Sequence, residues 1–345
     1  MSQVRQVVEA LMKHGPKYTT ISRETGVPVT TVRYILREKL PKLGFTIRPA
    51  INYGRLGLQR YLVMLESTLS PHYLINLLDL FGDTMYLSYY AYLLNDNKFL
   101  TIFSIPPKFE YSLTNLLDEL AEFNVIQRYD FKKLLYRRII PLRVDCFDFN
   151  NGVWMQNWDE MQIGENVPEI YEEPSPINEL TLLDLKILFE LYMNPFASYT
   201  DVASKLNITR QTVKRHYQKV LPMIYLYNVF WMPRDYPELV CTPILIRTYL
   251  DGEVRKIMLN IPFTHVEMRT ENSEYYTILF VPSLGFYKVL KYIGEKRIFK
   301  QVHFLSMEYA ANFTFPLNLY NDKKGWINIF EVGLQKILKE VKLTE

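Results

Sequence analysis

Apolar and polar positions repeat with two different periods along the chain, and each period predicts a different kind of element. Apolar residues at helical spacing predict helices over Gln3–Met12 and Leu182–Tyr192, each followed by two shorter helices. Strand-length apolar runs with intervening helices come next, in the order strand, helix, strand, strand, helix, strand. This order occurs once between residues 60 and 136 and again between residues 243 and 309.

The individual elements follow from these runs. The predicted strands are Arg60–Glu66, Met85–Leu93, Phe99–Ile105, Val125–Tyr136, Pro243–Tyr249, His265–Thr270, Tyr276–Val281 and Phe299–Tyr309. The predicted helices between them are Pro71–Leu80, Phe109–Phe123, Gly252–Asn260 and Leu284–Gly294, and Ile329–Val341 is predicted as a final amphipathic helix. Both halves of the chain therefore carry the same succession of elements.

The two halves are also alike in sequence. Residues 18–40, YTTISRETGVPVTTVRYILREKL, align without gaps with residues 199–221, YTDVASKLNITRQTVKRHYQKVL. A repeat at half the chain length indicates duplication of a whole domain pair rather than a solenoid.

Each copy has the pattern of a helix-turn-helix. Thr19 and Thr200 are predicted N-caps, while Gly26 and Asn207 supply the residue types that tolerate a left-handed turn. The outer face of each second helix is polar and basic, which major-groove entry requires. The candidate DNA-contacting residues on these faces are Thr30, Arg33, Tyr34 and Arg37 in the first copy and Arg210, Gln211, Lys214 and Arg215 in the second. A basic amphipathic helix on a domain surface is the alternative.

The strands after the helix pairs complete the expected domains. Phe45–Ile51 and Tyr225–Met232 are predicted as wings, with Arg48 of the first wing contacting phosphate. The predicted fold class is α+β, with two winged helix-turn-helix domains and two ferredoxin-like sheet domains whose uncovered faces pack on each other or on a second chain. The predicted domains are 1–55 and 179–236 for the winged helices, 56–147 and 237–315 for the sheets, 148–178 for an acidic linker and 316–345 for a C-terminal extension.

Charge is distributed unevenly along the chain. Residues 1–48 hold nine Lys and Arg against three Glu, whereas residues 148–180 hold eight acidic residues and no basic ones. The linker is interpreted as a solvated connector, with shielding of the basic regions as the alternative. A further basic stretch is interpreted as the guard of a solvated edge strand, with contact to DNA or to an anionic effector as the alternative. It consists of Arg128, Lys132, Lys133, Arg137, Arg138 and Arg143.

The segment GVPVTTVRYILREKLPKLGFTIRPAINYGRLGL, followed by the sheet elements, resembles the leucine-responsive regulator (Lrp/AsnC) family. The resemblance covers nearly the whole chain twice over and implies a transcription regulator whose sheet domains dimerise and often bind amino acids. In that family a Gly and an Asp between the second and third sheet strands help to form the effector site. Here the loops read LLNDNKF and RTENSEYY, so Asp96 supplies an acid but the Gly is absent, and no ligand residues are assigned.

Composition and missing motifs argue against a membrane protein, a secreted protein and an enzyme. With 48% hydrophobic and 22% charged residues the chain can bury real cores, and no apolar run is long enough for a membrane span. No secretory signal is visible, so the expected location is cytoplasmic and nucleoid-associated. The chain has only two cysteines and five scattered histidines, so no metal site is predicted. It also lacks the phosphate-loop, GxSxG, HExxH and CxxC motifs, so neither a cofactor nor an enzyme activity is predicted.

The sequence therefore predicts a sequence-specific regulator that reads two major-groove half-sites on double-stranded DNA. The alternatives are a non-specific architectural or chromatin protein, and a ligand-binding or enzymatic module on the same scaffold. The expected partners are double-stranded DNA and either a second copy of the chain or its own second half. A small-molecule effector is left open.

Overall fold

The computed structural model describes residues 2–67, 69–159, 169–175, 180–231, 241–249 and 252–335. The helices are α1 Gln3–His14, α2 Tyr18–Thr25, α3 Val29–Tyr34, α4 Leu40–Lys42, α5 Pro71–Thr84, α6 Glu110–Glu122, α7 Leu182–Met193, α8 Tyr199–Leu206, α9 Arg210–Val220, α10 Gly252–Leu259 and α11 Phe286–Lys296. The strands are β1 Phe45–Ile51, β2 Gln59–Glu66, β3 Leu87–Leu93, β4 Lys98–Ile105, β5 Arg128–Ile140, β6 Phe147–Asp148, β7 Val153–Trp154, β8 Ile224–Trp231, β9 Cys241–Tyr249, β10 His265–Thr270, β11 Glu274–Pro282, β12 Gln301–Asn312, β13 Tyr320–Asn321 and β14 Gly325–Trp326. The predicted final helix is helical over 330–335, and its remainder lies outside the described residues.

Two helix triplets form the helix-turn-helix units, α1 to α3 and α7 to α9. The turns pass through Gly26 and Asn207, which adopt left-handed φ angles of 70° and 53°, as the repeat predicts. The predicted N-caps are each wrong by two positions. The caps are Lys17 and Ser198, and Ser198 forms a capping box with Asp201, whose carboxylate accepts the Ser198 backbone N–H. Such a box satisfies two N–H groups that the first helical turn leaves without partners.

The strands predicted as separate wings pair with each other. Strand β1 of the first unit runs antiparallel to β8 of the second, with Phe45 opposite Trp231 and Pro49 opposite Tyr227. We call this two-stranded element the ribbon. It joins the two helix-turn-helix units within a single chain.

The eight remaining long strands close into one barrel, in the order β10-β11-β9-β12-β3-β4-β2-β5. The strand–helix–strand–strand–helix–strand order is present in both halves, but the strands of the two halves share one closed barrel, so the prediction of two ferredoxin-like domains is not confirmed. The fourth strand of each half pairs with the second strand of the other half, β5 with β10 and β12 with β3. Closure removes the strand edges that an open sheet would expose.

The barrel interior is an apolar core built from both halves. It includes Leu62 and Leu100 from the first half and Met268 and Ile278 from the second, all at most 1% exposed. Helices α5 and α6 pack on the outside of the first sheet, and α10 and α11 pack outside the second. The sheet faces that were predicted to have no covering helix therefore pack against each other within one chain.

A short hairpin follows the last strand of each half and extends the internal repeat. Strands β6 and β7 form the first hairpin, strands β13 and β14 form the second, and Gly152 and Gly325 adopt positive φ in their turns. Each hairpin lies against the opposite half of the barrel. Trp154 contacts Phe263 with ring centroids 4.7 Å apart, and Trp326 contacts Tyr86 at 6.1 Å.

Residues 169–175 of the predicted linker, here called the strap, run along the barrel instead of through solvent. The Glu172 N–H donates to the Leu135 carbonyl and the Ser175 N–H donates to the Gly54 carbonyl. A Cβ atom on Gly54 would lie 2.5 Å from the Glu173 carbonyl oxygen, so the strap requires glycine at this position. The interpretation of this segment as a solvated connector is wrong, because Glu172 is only 4% exposed.

Candidate nucleic-acid interface and the charged sites beneath it

The exposed face of α9 carries the four residues that the sequence singled out in the second copy. They are Arg210, Gln211, Lys214 and Arg215, all exposed. The opposite face packs inward through Val213 and Val220, both fully buried. The Thr209 hydroxyl caps the helix by accepting the Thr212 N–H. This arrangement presents three cations and an amide on one rigid face.

The one inward polar residue of α9, His216, has a buried partner. Its Nδ1 lies 2.6 Å from Oδ1 of Asp184, which is completely buried at the start of α7. Burial by itself raises the pKa of Asp184, but the hydrogen bonds from His216 and from Thr181 outweigh it and hold that pKa below its usual value. This pair fixes α9 on α7, which positions the basic face.

The first copy presents a smaller polar face. Thr30, Arg33 and Tyr34 are exposed on α3, and Val32 on the other side is fully buried. A π-helical turn over Ile35–Lys39 continues α3 towards α4.

Two of the predicted DNA-contacting arginines form hydrogen bonds with the second unit. The Arg37 guanidinium donates to the Tyr18 hydroxyl at 2.8 Å and to the Phe196 carbonyl at 3.1 Å. The Arg48 guanidinium donates to the carbonyls of Tyr192 and Met193, at 3.3 and 2.8 Å, at the end of α7.

The rings of Tyr18 and Phe196 also stack, with centroids 5.7 Å apart and planes 8° apart. Arg37 and Arg48 therefore hold the two units together, whereas Arg33 is exposed on α3. Arg48 is exposed but satisfies helix-end carbonyl groups.

A buried charge cluster lies at the end of the barrel that faces the ribbon. Nε of Arg60 lies 3.0 Å from Oε2 of Glu172, and both side chains are 4% exposed. Glu172 also accepts the backbone N–H groups of Tyr53 and Arg137. Burial, and then the neighbouring Arg60, lower the pKa of Arg137. Sequence reasoning missed this cluster because its members are far apart in the chain.

A second buried cluster centres on Glu267, which has no exposed surface. Its carboxylate accepts from Nη2 of Arg255 at 2.8 Å and from the Tyr275 hydroxyl at 2.8 Å, and it lies 3.3 Å from Nε of Arg138. Burial strongly raises the pKa of Tyr275, and the Glu267 charge adds to this shift. The solvated edge strand proposed for the basic stretch is thus wrong, since β5 lies inside the closed barrel between β2 and β10.

The far end of the barrel holds a cavity of about 280 Å³, which is lined by charged side chains of both signs. Lys98 lies 2.7 Å from Glu66 and 3.2 Å from Asp96, and the Arg128 guanidinium also pairs with Glu66. The Arg128 and Lys98 side chains lower the pKa of Glu66 to about 2. Within the described ranges, no group of three His, Cys, Asp or Glu side chains is arranged to hold a metal ion. Nor is any described helix long and apolar enough to cross a bilayer.

Comparison with known proteins gives one family match and several similar structures. A winged helix-turn-helix DNA-binding family matches residues 180–220, the segment from α7 to α9. The crystal structure of the siroheme decarboxylase NirDL matches 99% of this chain and 100% of its own at 10% identity, with a TM-score of 0.51. NirDL in complex with an iron-uroporphyrin III analogue matches all of both chains at 11% identity, with a TM-score of 0.48.

The crystal structure of PH0061 matches 40% of this chain and 95% of its own at 19% identity, with a TM-score of 0.30. No curated protein matches the sequence.

These findings confirm the helix-turn-helix prediction and overturn another. The prediction that the chain is not an enzyme, which was drawn from missing motifs, is wrong, because an enzyme, the siroheme decarboxylase NirDL, shares this fold over 99% of this chain and 100% of its own. The likeness, at 10% identity, concerns the fold. The specific Lrp/AsnC resemblance stays a prediction. The chain thus contains a winged helix-turn-helix DNA-binding domain on a fold shared with NirDL.

Proposed function

We propose that this protein binds double-stranded DNA through its two helix-turn-helix units and regulates transcription by reading two half-sites. The observation that carries the proposal is the exposed face of α9, where Arg210, Lys214 and Arg215 project from a helix whose other side is buried. Arg and Lys at such positions make bidentate contacts to guanine or neutralise phosphates.

The two half-sites are expected to be unequal. The second unit offers three cations, whereas the first offers Arg33 with Thr30 and Tyr34, since Arg37 and Arg48 contact the second unit. The ribbon joins the units, as the partner strands of a dimer would, so one chain reads both half-sites about one helical turn apart. The half-site under α9 then contributes more of the affinity.

Selection of bound fragments from sheared genomic DNA at two salt concentrations tests this function. A split motif that persists at the higher salt supports a sequence-specific regulator. Binding without a motif that is lost with salt indicates an architectural protein instead. No binding at either salt would refute a DNA role.

Variants then test the residues. Arg215→Ala and Arg33→Ala are each expected to weaken binding to the selected site by about 1–3 kcal/mol, measured by fluorescence anisotropy. Lys288→Ala removes an exposed cation from α11 on the outside of the barrel and serves as the matched control. Equal affinities of all three variants and the parent chain would remove the residue assignment.

A second candidate function is decarboxylation of a carboxylated tetrapyrrole, which is the reaction that the name siroheme decarboxylase describes for NirDL. What favours it, besides the fold, is a group of buried titratable side chains near Glu267. The Tyr136 hydroxyl and Nε2 of His265 are both buried without a hydrogen-bond partner among the described residues. Decarboxylation breaks a carbon–carbon bond, releases carbon dioxide and leaves the electron pair on carbon, so it needs a group that returns a proton to that carbon.

Incubation of the protein with siroheme or with iron-uroporphyrin III tests this second function. Product masses that fall by carbon dioxide, with loss of this activity in Tyr136→Phe, would support it. The absence of both product and any change in the absorption spectrum of the tetrapyrrole would refute it.

A further inference from the structure

Two hydrogen bonds place His216 between the buried core of the second helix-turn-helix unit and its exposed basic face. Nδ1 lies 2.6 Å from Oδ1 of Asp184 on α7, and Nε2 lies 3.4 Å from Nη2 of Arg215 on the outer face of α9. The His216 side chain is 11% exposed, and Asp184 is completely buried. His216 therefore connects a buried carboxylate to a candidate DNA-contacting arginine.

These two partners fix the protonation state of the imidazole. The Asp184 carboxylate also accepts the backbone N–H and the hydroxyl of Thr181, both at 2.8 Å, and its pKa is held below the usual value. An ionised carboxylate only accepts hydrogen bonds, so Nδ1 of His216 carries a proton. A guanidinium only donates them, so Nε2 is unprotonated. Both bonds form together only with the neutral Nδ1–H tautomer of His216.

Protonation of His216 would affect the two bonds differently. The bond to Asp184 uses the Nδ1 proton, which the neutral and the charged imidazole both carry. The bond to Arg215 uses the Nε2 lone pair, which protonation removes, and the charged ring would also repel the guanidinium. Acid therefore releases Arg215 while α9 stays bound to α7.

The internal repeat shows that packing does not require a histidine at this position. The residue of the first copy that aligns with His216 is Ile35, which is 3% exposed on the inner side of its unit. Apolar side chains in place of a buried polar pair are often neutral or stabilising. The histidine of the second copy is thus explained by its partners Asp184 and Arg215 rather than by the volume that it fills.

Charged and titratable groups on the elements packed around His216 include Lys219 of α9, Glu190 of α7, Asp201 and Lys205 of α8, and Tyr320 and Asp322 of the second hairpin. Nζ of Lys219 lies 3.7 Å from Oδ2 of Asp184, and burial, followed by the charges of Asp322 and Asp184, raises the pKa of Tyr320. Groups of these kinds ordinarily titrate outside the range from about pH 5.5 to about pH 8, in which histidine changes its charge.

We propose that His216 is a positioning residue that holds the Arg215 guanidinium in the direction from which it reads a base pair. Asp184 keeps His216 in the tautomer that this bond requires. The inference rests on the proposed DNA binding and deepens it, because it names what sets the specificity of the half-site under α9. A guanidinium carries five N–H donors, so the bond to His216 leaves donors for a base edge.

The test measures discrimination, which is the ratio of the Kd for a single-base-pair variant of the α9 half-site to the Kd for the selected site. Both sites are measured by fluorescence anisotropy at about pH 8 and about pH 5.5, so general effects of pH on DNA affinity cancel in the ratio. The base pair that Arg215 reads is the one at which Arg215→Ala loses discrimination. In the parent chain we expect discrimination at that base pair to fall about five- to tenfold on acidification.

His216→Asn is the variant that separates the two bonds. Its amide retains a donor near the position of Nδ1, facing Asp184, but has no atom at the position of Nε2. We expect the same five- to tenfold loss already at about pH 8, with no further change in acid. Combined with Arg215→Ala, it should add no further loss, because the two residues act through one contact. His72→Asn makes the same change at an exposed position on α5 and should behave as the parent chain.

A readout without DNA checks the tautomer itself. In ¹⁵N NMR of the histidine-labelled full chain at about pH 8, the signal that His216→Asn removes should be that of an Nδ1–H imidazole, and Arg215→Ala should shift its Nε2 resonance. An Nε2–H imidazole, or an Nε2 resonance that ignores Arg215→Ala, would overturn the inference. Circular dichroism at both pH values checks that each variant is folded.

The outcomes separate this inference from the proposed function. If the parent chain discriminates between sites and His216→Asn does so equally well, the inference is wrong and DNA binding stands. The same holds if His216→Asn and Arg215→Ala have additive effects, as a purely structural histidine would give, or if Arg215→Ala weakens every site alike, as a phosphate contact would. If the parent chain binds no DNA at either pH, the proposed function fails and this inference fails with it.

Discussion

Replacement of Glu172 by Gln tests whether the strap holds the barrel and the ribbon together. The carboxylate lies 3.0 Å from Nε of Arg60 and accepts the N–H groups of Tyr53, at 3.2 Å, and Arg137, at 3.1 Å. Glutamine keeps the shape and one acceptor oxygen but removes the negative charge. Arg60 is then left 4% exposed without its counter-charge.

The size of the effect follows from this burial. Removing one partner of a buried ion pair costs about 3–5 kcal/mol, because the other charge stays out of water. The glutamine oxygen still accepts one hydrogen bond, which keeps the expected loss at the lower end of this range. We expect Glu172→Gln to lower the free energy of unfolding by about 3 kcal/mol.

Urea unfolding followed by circular dichroism measures the change, and Glu173→Gln is the matched control, since Glu173 is the exposed neighbour. A double variant, Arg60→Met with Glu172→Gln, should recover much of the loss because it removes the buried charge. If Glu172→Gln unfolds within about 0.5 kcal/mol of Glu173→Gln, a value typical of surface substitutions, the strap is the solvated connector that composition suggests.

Other expectations concern buried groups and contacts between the units. Burial lowers the pKa of His265 to about 4 in the folded protein, whereas the same histidine in the unfolded chain has a pKa near 6.5. Between these two pH values the unfolded chain therefore binds a proton that the folded protein does not. Stability should therefore fall by up to about 3 kcal/mol from pH 6.5 to pH 4, and His265→Gln, compared by thermal unfolding, should flatten that dependence. Gly54→Ala should destabilise the chain by about 2 kcal/mol or more in urea, because the added Cβ meets the Glu173 carbonyl; unchanged stability would contradict the close approach. Arg48→Ala should cost about 1 kcal/mol of stability but leave the salt dependence of DNA binding unchanged, since Arg48 binds the Met193 carbonyl; a reduced salt slope would instead place Arg48 on phosphate.

Most of the secondary structure could be predicted because it depends on local spacing. The strand His265–Thr270 has the predicted bounds, and others, such as β2 and β4, differ by one residue. The exposed face of α9 was also predictable, since helical period alone separates Arg210, Lys214 and Arg215 from Val213 and Val220. Caps were less accurate. Thr200 is a good capping type, but Ser198 has the better partner in Asp201.

Some candidate residues have contacts that the sequence could not show, because their partners are distant in the chain. Arg37 and Arg48 are as basic as Arg33, and no local pattern distinguishes them. Their partners are carbonyl groups about 150 residues away, which only pairing of the two units brings near. The acidic strap was misread for the same reason. Glu172 belongs to an acidic, proline-rich stretch, yet its partner Arg60 comes from the second strand of the chain.

The sequence by itself determined the duplication, the two helix-turn-helix units and the twofold succession of strands and helices. These features depend on periodicity and on residue types such as Gly26 and Asn207, which act over a few positions. Only the tertiary structure decided that eight strands close into one barrel and that β1 and β8 pair as a ribbon. Those outcomes depend on which surfaces meet, because open sheet edges, apolar sheet faces and buried charges each require a partner that the chain supplies from its other half.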